Sequence, residues 1–412
     1  MNNNITDNTD VLDSEVENGF QKYARHESMI MKGNFAAAEA AKLCRSGFIP
    51  AYPITPQTSI VEQLSEKVSS GEMDATYINM DSEHSVFAAA MGAAIAGERV
   101  FTATSGQGLF YAHEVLHAIA HFRLPIVICN VGRPSIPWNI WSDQTDSLSQ
   151  RDTGWIQYYG ESSQEVLDSI IQSFMISEKL RIPVMVVLDA FYQSHTSENI
   201  WIPEQSLVDE FLPKKKLTGN EVNAEEPKVI GGLVPPEHYA KFNYSFWNDM
   251  NTVEELSTEV SNEFEKHFGR KYQNVEAINI GPHTKTVLVT MSSITTTAKG
   301  VIKKYPDVGL LKLRLFKPFP KKSVNKVLEM LPTDAVIACV ERNFLGDNEG
   351  AIMQEMQRAL YGKNFKIVDF YAGVGGKDVP PITIEKILHK IRNRFTGEKE
   401  HLNEINWIDI EN

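Results

Sequence analysis

What most limits the fold of this 412-residue chain is a repeated unit: a short apolar run, a polar turn, then a helical pattern. The first such unit begins near Met29. Phe48–Tyr52 leads into Pro53-Ile54-Thr55-Pro56 and the stretch Ser59–Val68. Ala75–Ile78 leads into Asp81-Ser82-Glu83 and an alanine-rich stretch ending at Ala96. Val100–Ala103 leads into Thr104-Ser105-Gly106-Gln107-Gly108 and the helical pattern Tyr111–His121. Pro125–Val131 leads into Gly132-Arg133-Pro134 and a long irregular segment, and Pro183–Leu188 reads as a fifth strand. Strand alternating with helix predicts an α/β domain on a mainly parallel sheet. Lys214–Glu226 is charged and poor in large apolar residues, so it reads as a linker, followed by an amphipathic helix Val253–Phe268. A second α/β unit has strands at Thr286–Met291, Leu310–Leu315, Ala335–Val340 and Phe365–Phe370. Its helices fall near Thr295–Lys304, Lys321–Met330, Glu349–Leu360 and Ile384–Arg394. The expected organisation is an acidic tail at 1–28, a first domain at 29–216, a linker with helix at 217–275, a second domain at 276–396 and a polar tail at 397–412.

Composition narrows the function. The net charge of −13 argues against nucleic-acid and anionic-membrane partners. The three cysteines, Cys44, Cys129 and Cys339, are odd in number and far apart, which excludes a disulfide framework, a four-cysteine zinc site and a self-contained iron–sulfur cluster within the chain. Such usage fits a reducing cytoplasm. The first 20 residues lack a basic and an apolar signal region and read as a disordered acidic tail. The longest strongly apolar stretch, Val86–Gly97, is shorter than the about 20 residues a bilayer span needs. The expectation is a cytoplasmic protein with no membrane segment.

In an open parallel sheet, ligands bind beyond the carboxyl ends of the strands. Thr55 follows the first strand there, Glu83 the second, Ser105 and Gln107 the third, and Arg133 the fourth. A hydroxyl, a carboxylate, an amide and a guanidinium on one edge suit a small anion or a heterocycle, and Arg133 can pair bidentately with a carboxylate. The plainer alternative is that Glu83 caps its helix and Arg133 is a surface loop residue. A competing motif is His113-Glu114-Val115-Leu116-His117, which matches the H-E-x-x-H pattern of zinc hydrolases. His121 continues the same face, but Ala120 stands where the metzincin pattern has glycine. The alternative is a half-buried helix with hydrogen-bonded histidines. There is no P-loop, no G-x-G-x-x-G and no G-x-S-x-G.

The motifs YPITP (Tyr52–Pro56), DSEHS (Asp81–Ser85), FTATSGQG (Phe101–Gly108) and NIWSDQTDSLSQRDTGW (Asn139–Trp155) closely resemble the α subunit of 2-oxoacid:ferredoxin oxidoreductases of the pyruvate synthase type. LDAFYQSH (Leu188–His195), LRLFKPFP (Leu313–Pro320), VERN and GDNEG (within Val340–Gly350) and GVGGKD (Gly373–Asp378) extend the likeness over roughly residues 30 to 395. The resemblance implies a pyrimidine-type thiamine diphosphate domain followed by a transketolase C-terminal-like domain. It implies oxidative decarboxylation of pyruvate with coenzyme A to acetyl-CoA, CO2 and reduced ferredoxin, with a branched-chain or aryl 2-oxoacid as the alternative substrate. The family's activating glutamate matches Glu83, which hydrogen-bonds the cofactor's aminopyrimidine ring nitrogen. Thr55 matches the residue contacting the substrate carboxylate or carbonyl oxygen, and Arg133 matches the arginine pairing with that carboxylate. Val131-Gly132-Arg133-Pro134 departs from the commoner Val-Asn-Arg-Ala, and Trp138, Asn139 and Trp141 are placed to shape the pocket. A Gly-Asp-Gly diphosphate motif is absent, so the resemblance implies a β subunit supplying the diphosphate and Mg2+ half of the site. It further implies γ and ferredoxin-like δ subunits, [4Fe-4S] clusters in the partner subunits, and ferredoxin as acceptor.

Overall fold

The computed structural model describes residues 25–217, 219, 221–225, 227–346, 349–396, 405–408 and 410. The expected tail residues 1–24, 397–404, 409, 411 and 412 lie outside the described residues.

The chain in order gives strands β1 (His26–Lys32), β2 (Phe48–Ala51), β3 (Thr76–Asn79), β4 (Val100–Thr104), β5 (Ile126–Gly132), β6 (Ile156–Tyr159), β7 (Val184–Asp189) and β8 (Ser197–Pro203). Then follow β9 (Val275–Ile278), β10 (Thr286–Thr290), β11 (Val308–Leu313), β12 (Leu315–Lys317), β13 (Val336–Glu341), β14 (Lys366–Tyr371) and β15 (Ile405–Trp407). One sheet has the order β12-β6-β7-β5-β4-β2-β3 and a second has β15-β14-β13-β10-β11-β9. In the first, all neighbours are parallel except β12 against β6. In the second, only β9 runs antiparallel to its neighbour. The strands β4, β5, β7, β10, β11 and β13 are buried throughout, as continuous apolar runs covered on both faces require. This is the α/β, parallel-sheet architecture that the alternating units predict.

The two sheets are packed together. One apolar cluster joins Ile126, Ile128, Met185 and Val187 of the first sheet to Val287, Val289, Leu311 and Leu313 of the second. The chain also crosses back: β12, on the far side of β11, pairs with β6, setting Leu315 opposite Tyr158.

Three stretches differ from the sequence reading. The irregular segment after Arg133 contains β6 and the 18-residue helix Ser163–Leu180, whose polar-spaced apolar residues hide a nearly fully buried element. The linker region carries two helices, Pro236–Met250 with no buried residue and Val253–Phe268 with a buried stripe at Val253, Ser257, Val260, Ser261, Phe264 and Phe268. That stripe makes the second helix part of the core, where Tyr158 donates a 2.7 Å hydrogen bond to Ser257. At the ends, β1 begins inside the expected acidic tail and pairs with β8, and β15 within the expected polar tail adds an edge to the second sheet.

Candidate active site

The first sheet reverses its strand order at β2, which has β3 on one side and β4 on the other. That reversal opens a crevice at the carboxyl ends of β2 and β4, where α/β proteins bind ligands. The two strands pair only at Phe48 and Val100. Beyond that point side chains replace the ladder. Thr102 donates to the Pro50 carbonyl at 2.7 Å, and the buried Gln57 amide donates to the Ala103 carbonyl at 2.6 Å. The loop carrying Thr55 is held by buried Asn34, whose amide donates 2.8 Å bonds to the Pro56 carbonyl and Ser59 hydroxyl.

Glu83 opens the helix Glu83–Ile95, but it is not the cap. Ser82 takes that role, its hydroxyl accepting from the Ser85 amide. Glu83 is therefore free for other work. It is 9% exposed, and among the described residues its carboxylate has no hydrogen-bond or ion-pair partner. It lies over Gly108, where a Cβ would come within 2.6 Å of its Cγ and Oε1. The glycine keeps room for the carboxylate.

Arg133, at the end of β5, is 3% exposed rather than a surface loop residue. Its Nη1 donates to the Thr55 carbonyl and its Nη2 to Gln107 Oε1, while its buried Nε has no partner. Gly106 sits at φ +50°, and any Cβ there would collide with the Arg133 side chain. Burial pushes the Arg133 pKa down, opposed by the charges of Asp146 and Glu83. The two glycines of the TSGQG turn thus make space for the two groups of opposite charge that the site needs.

Sequence reasoning missed the residue that holds this turn in place. Asp146 is fully buried and accepts from the backbone amides of Gly106 at 2.8 Å and Arg133 at 3.2 Å and from the Asn130 side chain at 3.1 Å. Burial pushes its pKa up to about 6, and these donors act against the rise. The available signal was its place inside the long NIWSDQTDSLSQRDTGW motif.

The proposed pocket residues divide. The Asn139 amide donates to the Gly375 carbonyl at 2.7 Å, and its Oδ1 accepts from the Trp141 amide. Trp141 lies against Gly376, which leaves no room for a Cβ there. Both are therefore clasped by the second sheet's glycine turn, whereas Trp138 is 70% exposed. Thr55 is exposed beside the guanidinium.

The histidine motif does not assemble a metal centre. His113 bonds Gln150 at 2.5 Å, His121 stacks on Phe246, and the 87%-exposed Glu114 pairs with His84. Among the described residues, no group of three His, Cys, Asp or Glu side chains is placed to hold a metal ion. Cys44, Cys129 and Cys339 are all buried with free thiols, and burial pushes each thiol pKa up.

Comparison with known proteins places the chain in a class. Residues 39–262 match the family model of the pyruvate flavodoxin/ferredoxin oxidoreductase thiamine diphosphate-binding domain, and residues 284–384 match pyruvate:ferredoxin oxidoreductase core domain II. The chain belongs to this family of 2-oxoacid:ferredoxin oxidoreductase α subunits and is thus a subunit of an oxidoreductase. It is 39% identical over 388 residues to ketoisovalerate oxidoreductase subunit VorA of Pyrococcus horikoshii, covering 92% of this chain and 98% of that one. It is 42% identical over 375 residues to pyruvate synthase subunit PorA of Methanocaldococcus jannaschii, covering 89% and 95%. Among solved structures, 2-oxoglutarate:ferredoxin oxidoreductase from Magnetococcus marinus is similar with a TM-score of 0.68 at 18% identity, covering 89% of this chain and 65% of that longer chain. An inactive β4 tetramer of a split-gene transketolase is similar with a TM-score of 0.50 at 10% identity, covering 86% and 93%. The family assignment replaces the zinc-hydrolase alternative. No helix among the described residues is long and apolar enough to cross a membrane.

The crevice suits the aminopyrimidine half of thiamine diphosphate. A buried, unpartnered carboxylate is a fitting acceptor or proton sharer for a ring nitrogen, and Gly108 leaves room for that carboxylate.

Proposed function

We propose that this chain is the α subunit of a thiamine-dependent pyruvate:ferredoxin oxidoreductase and contributes the aminopyrimidine half of a site completed by a β subunit. The observation that carries this reading is the convergence of unpartnered Glu83 and buried Arg133 on the crevice between β2 and β4. Thiamine diphosphate, when bound, supplies the carbanion-stabilising chemistry. Glu83 holds a proton at the aminopyrimidine ring nitrogen and so supports removal of the reactive ring proton. Arg133 takes the 2-oxoacid carboxylate in a charge-assisted pair, held from behind by the Thr55 carbonyl and Gln107. Thr55 offers its hydroxyl to the substrate's carboxylate or carbonyl oxygen, and Trp138, Asn139 and Trp141 line the approach.

The diphosphate and its Mg2+ are assigned to the β subunit, because this chain lacks the motif for them and shows no metal cluster among its described residues. The [4Fe-4S] clusters are assigned to partner subunits of the β, γ and δ kinds for the same reason, with ferredoxin as acceptor and coenzyme A as cosubstrate. A cytoplasmic location fits three reduced, buried cysteines.

The test is an oxoacid panel assayed on the purified complex with coenzyme A and ferredoxin. Pyruvate should give the highest kcat/KM. A higher value for 2-oxoisovalerate or an aryl 2-oxoacid moves the chain to the alternative substrate. No oxoacid-dependent CO2 release overturns the reading.

A further inference from the structure

Arg342, the residue after β13, lies in the second sheet's half of the molecule, yet its contacts lead to the first sheet's site. It is 2% exposed. Its Nη1 alone donates to Asp189 Oδ2 at 2.9 Å, to the Ser293 hydroxyl at 2.9 Å and to the Ser142 hydroxyl at 3.3 Å. Asp189 ends β7 of the first sheet, and Ser293 stands at the start of the helix Ile294–Ile302 behind β10 of the second. Ser142 belongs to the loop after Arg133. The backbone follows the same path: the Gln144 amide donates to the Arg342 carbonyl at 2.9 Å, and the Gly375 amide donates to Asp143 at 2.8 Å. Two residues beyond Gln144 is Asp146, which holds the amides of Arg133 and Gly106.

We propose that Arg342 is a positioning residue for 2-oxoacid binding: it ties the loop 142–146 to both sheets, and through Asp146 that loop sets the guanidinium of Arg133. The hydrogen bonds of Arg342 go to Asp189, Ser293 and the loop rather than to Glu83, Thr55 or Arg133, so it acts through the loop on Arg133. The inference rests on the reading that Arg133 pairs with the substrate carboxylate.

The experiment measures KM for pyruvate, kcat and thermal stability in the reconstituted complex, with Arg133→Ala as the reference. Arg342→Gln should raise KM about tenfold with a much smaller change in kcat. Arg342→Lys should restore KM, because all three side-chain bonds leave from the one Nη1 position an ammonium can occupy. Combined with Arg133→Ala, Arg342→Gln should add no further rise in KM, as expected of two residues acting in series. An additive double variant, or a normal KM in a folded Arg342→Gln complex, overturns the proposal. If Arg342→Gln fails to assemble, because Asp189 is left as a buried unpaired charge, Ser142→Ala decides. That variant cuts the loop contact and keeps the Asp189 pair, and it should raise KM about threefold; an unchanged KM overturns the proposal. An Arg133→Ala complex with normal KM instead sinks the underlying substrate reading, whatever Arg342 does.

Discussion

The carboxyl edges of the two parallel sheets carry similar side chains and treat them in opposite ways. At the first edge, Glu83 lies beside a crevice with no partner, and Arg133 keeps an unpaired Nε. At the second edge, Glu341 ends β13 and Asp369 lies in the neighbouring β14, opposite Cys339 and two residues short of Glu341's own partner Tyr371, and both are fully buried. Glu341 accepts from the Met353 amide at 2.8 Å and from the Asn343 amide group at 2.5 Å, and Asp369 accepts from the Gly350 amide at 2.9 Å. The Gly350 and Met353 amides come from the start of the helix Ala351–Leu360, which favours negative charge. Burial nevertheless pushes the Asp369 pKa up to about 7 and raises that of Glu341, with the neighbouring carboxyl adding to the Glu341 rise. Position at a strand end therefore does not make a carboxylate functional. Both sheets reverse their strand order, at β2 in the first and at β10 in the second. What distinguishes the first edge is that β2 and β4 pair only at Phe48 and Val100, which leaves space in front of its charges, whereas β10 and β13 stay paired and their edge is filled by residues 142–145.

The sharpest way to break this contrast is to neutralise the free carboxylate. Glu83→Gln keeps the shape and removes the group proposed to hold the proton, so oxoacid-dependent turnover should fall by about a hundredfold to ten-thousandfold. Assembly and thermal stability should stay near wild type, because Ser82, not Glu83, caps the helix. Near-normal CO2 release from the variant complex would reduce the crevice to a structural cleft. A smaller effect is expected at the cation. Arg133→Ala should remove the proposed charge-assisted bond to substrate, worth about 1.5–3 kcal/mol, for a rise of about tenfold to a hundredfold in KM. An unchanged KM for pyruvate in steady-state assays would show that the buried guanidinium serves only the Thr55 and Gln107 contacts.

The same contrast explains what could be read in the sequence. The strands were legible because buried parallel strands are continuous apolar runs, and β10 begins where its run begins, at Thr286. The strand-end positions of Thr55 and Arg133 were legible because each follows such a run, whereas Glu83 follows β3, which is largely exposed. The helix Ser163–Leu180 was not, since serine and glutamine at its buried positions erase the amphipathic signal. β12 was hidden for another reason. Its three residues belong by sequence to the second unit and by hydrogen bonding to the first sheet, a pairing no local pattern encodes. Asp146 and Arg342 share that limit. Their roles come from backbone amides and strand ends brought together by tertiary contact, and nothing in residue type separates Asp146 from Asp143 beside it.

The smallest effect on catalysis is expected at the second edge, and its signature is pH. Both carboxyl pKa values are raised by folding, so the folded protein keeps protons that the unfolded chain releases near pH 4. The pair's contribution to stability is thus complete at low pH and declines as pH rises through about 7 for Asp369. Asp369→Asn stays neutral at every pH and keeps an oxygen for the Gly350 amide. It should flatten this part of the pH dependence, on the order of 3 kcal/mol between about pH 4 and about pH 7 in the wild type. Melting curves of the two complexes over that range measure it. Because residues 142–145 fill this edge and it lies outside the proposed crevice, kcat and KM for pyruvate should remain within about twofold. A variant that matched the wild-type pH slope would show that Asp369 is already ionised in the folded state. One that lost activity while keeping its fold would show that the second edge is catalytic after all, and the argument that locates the site at the open crevice between β2 and β4 would fail with it.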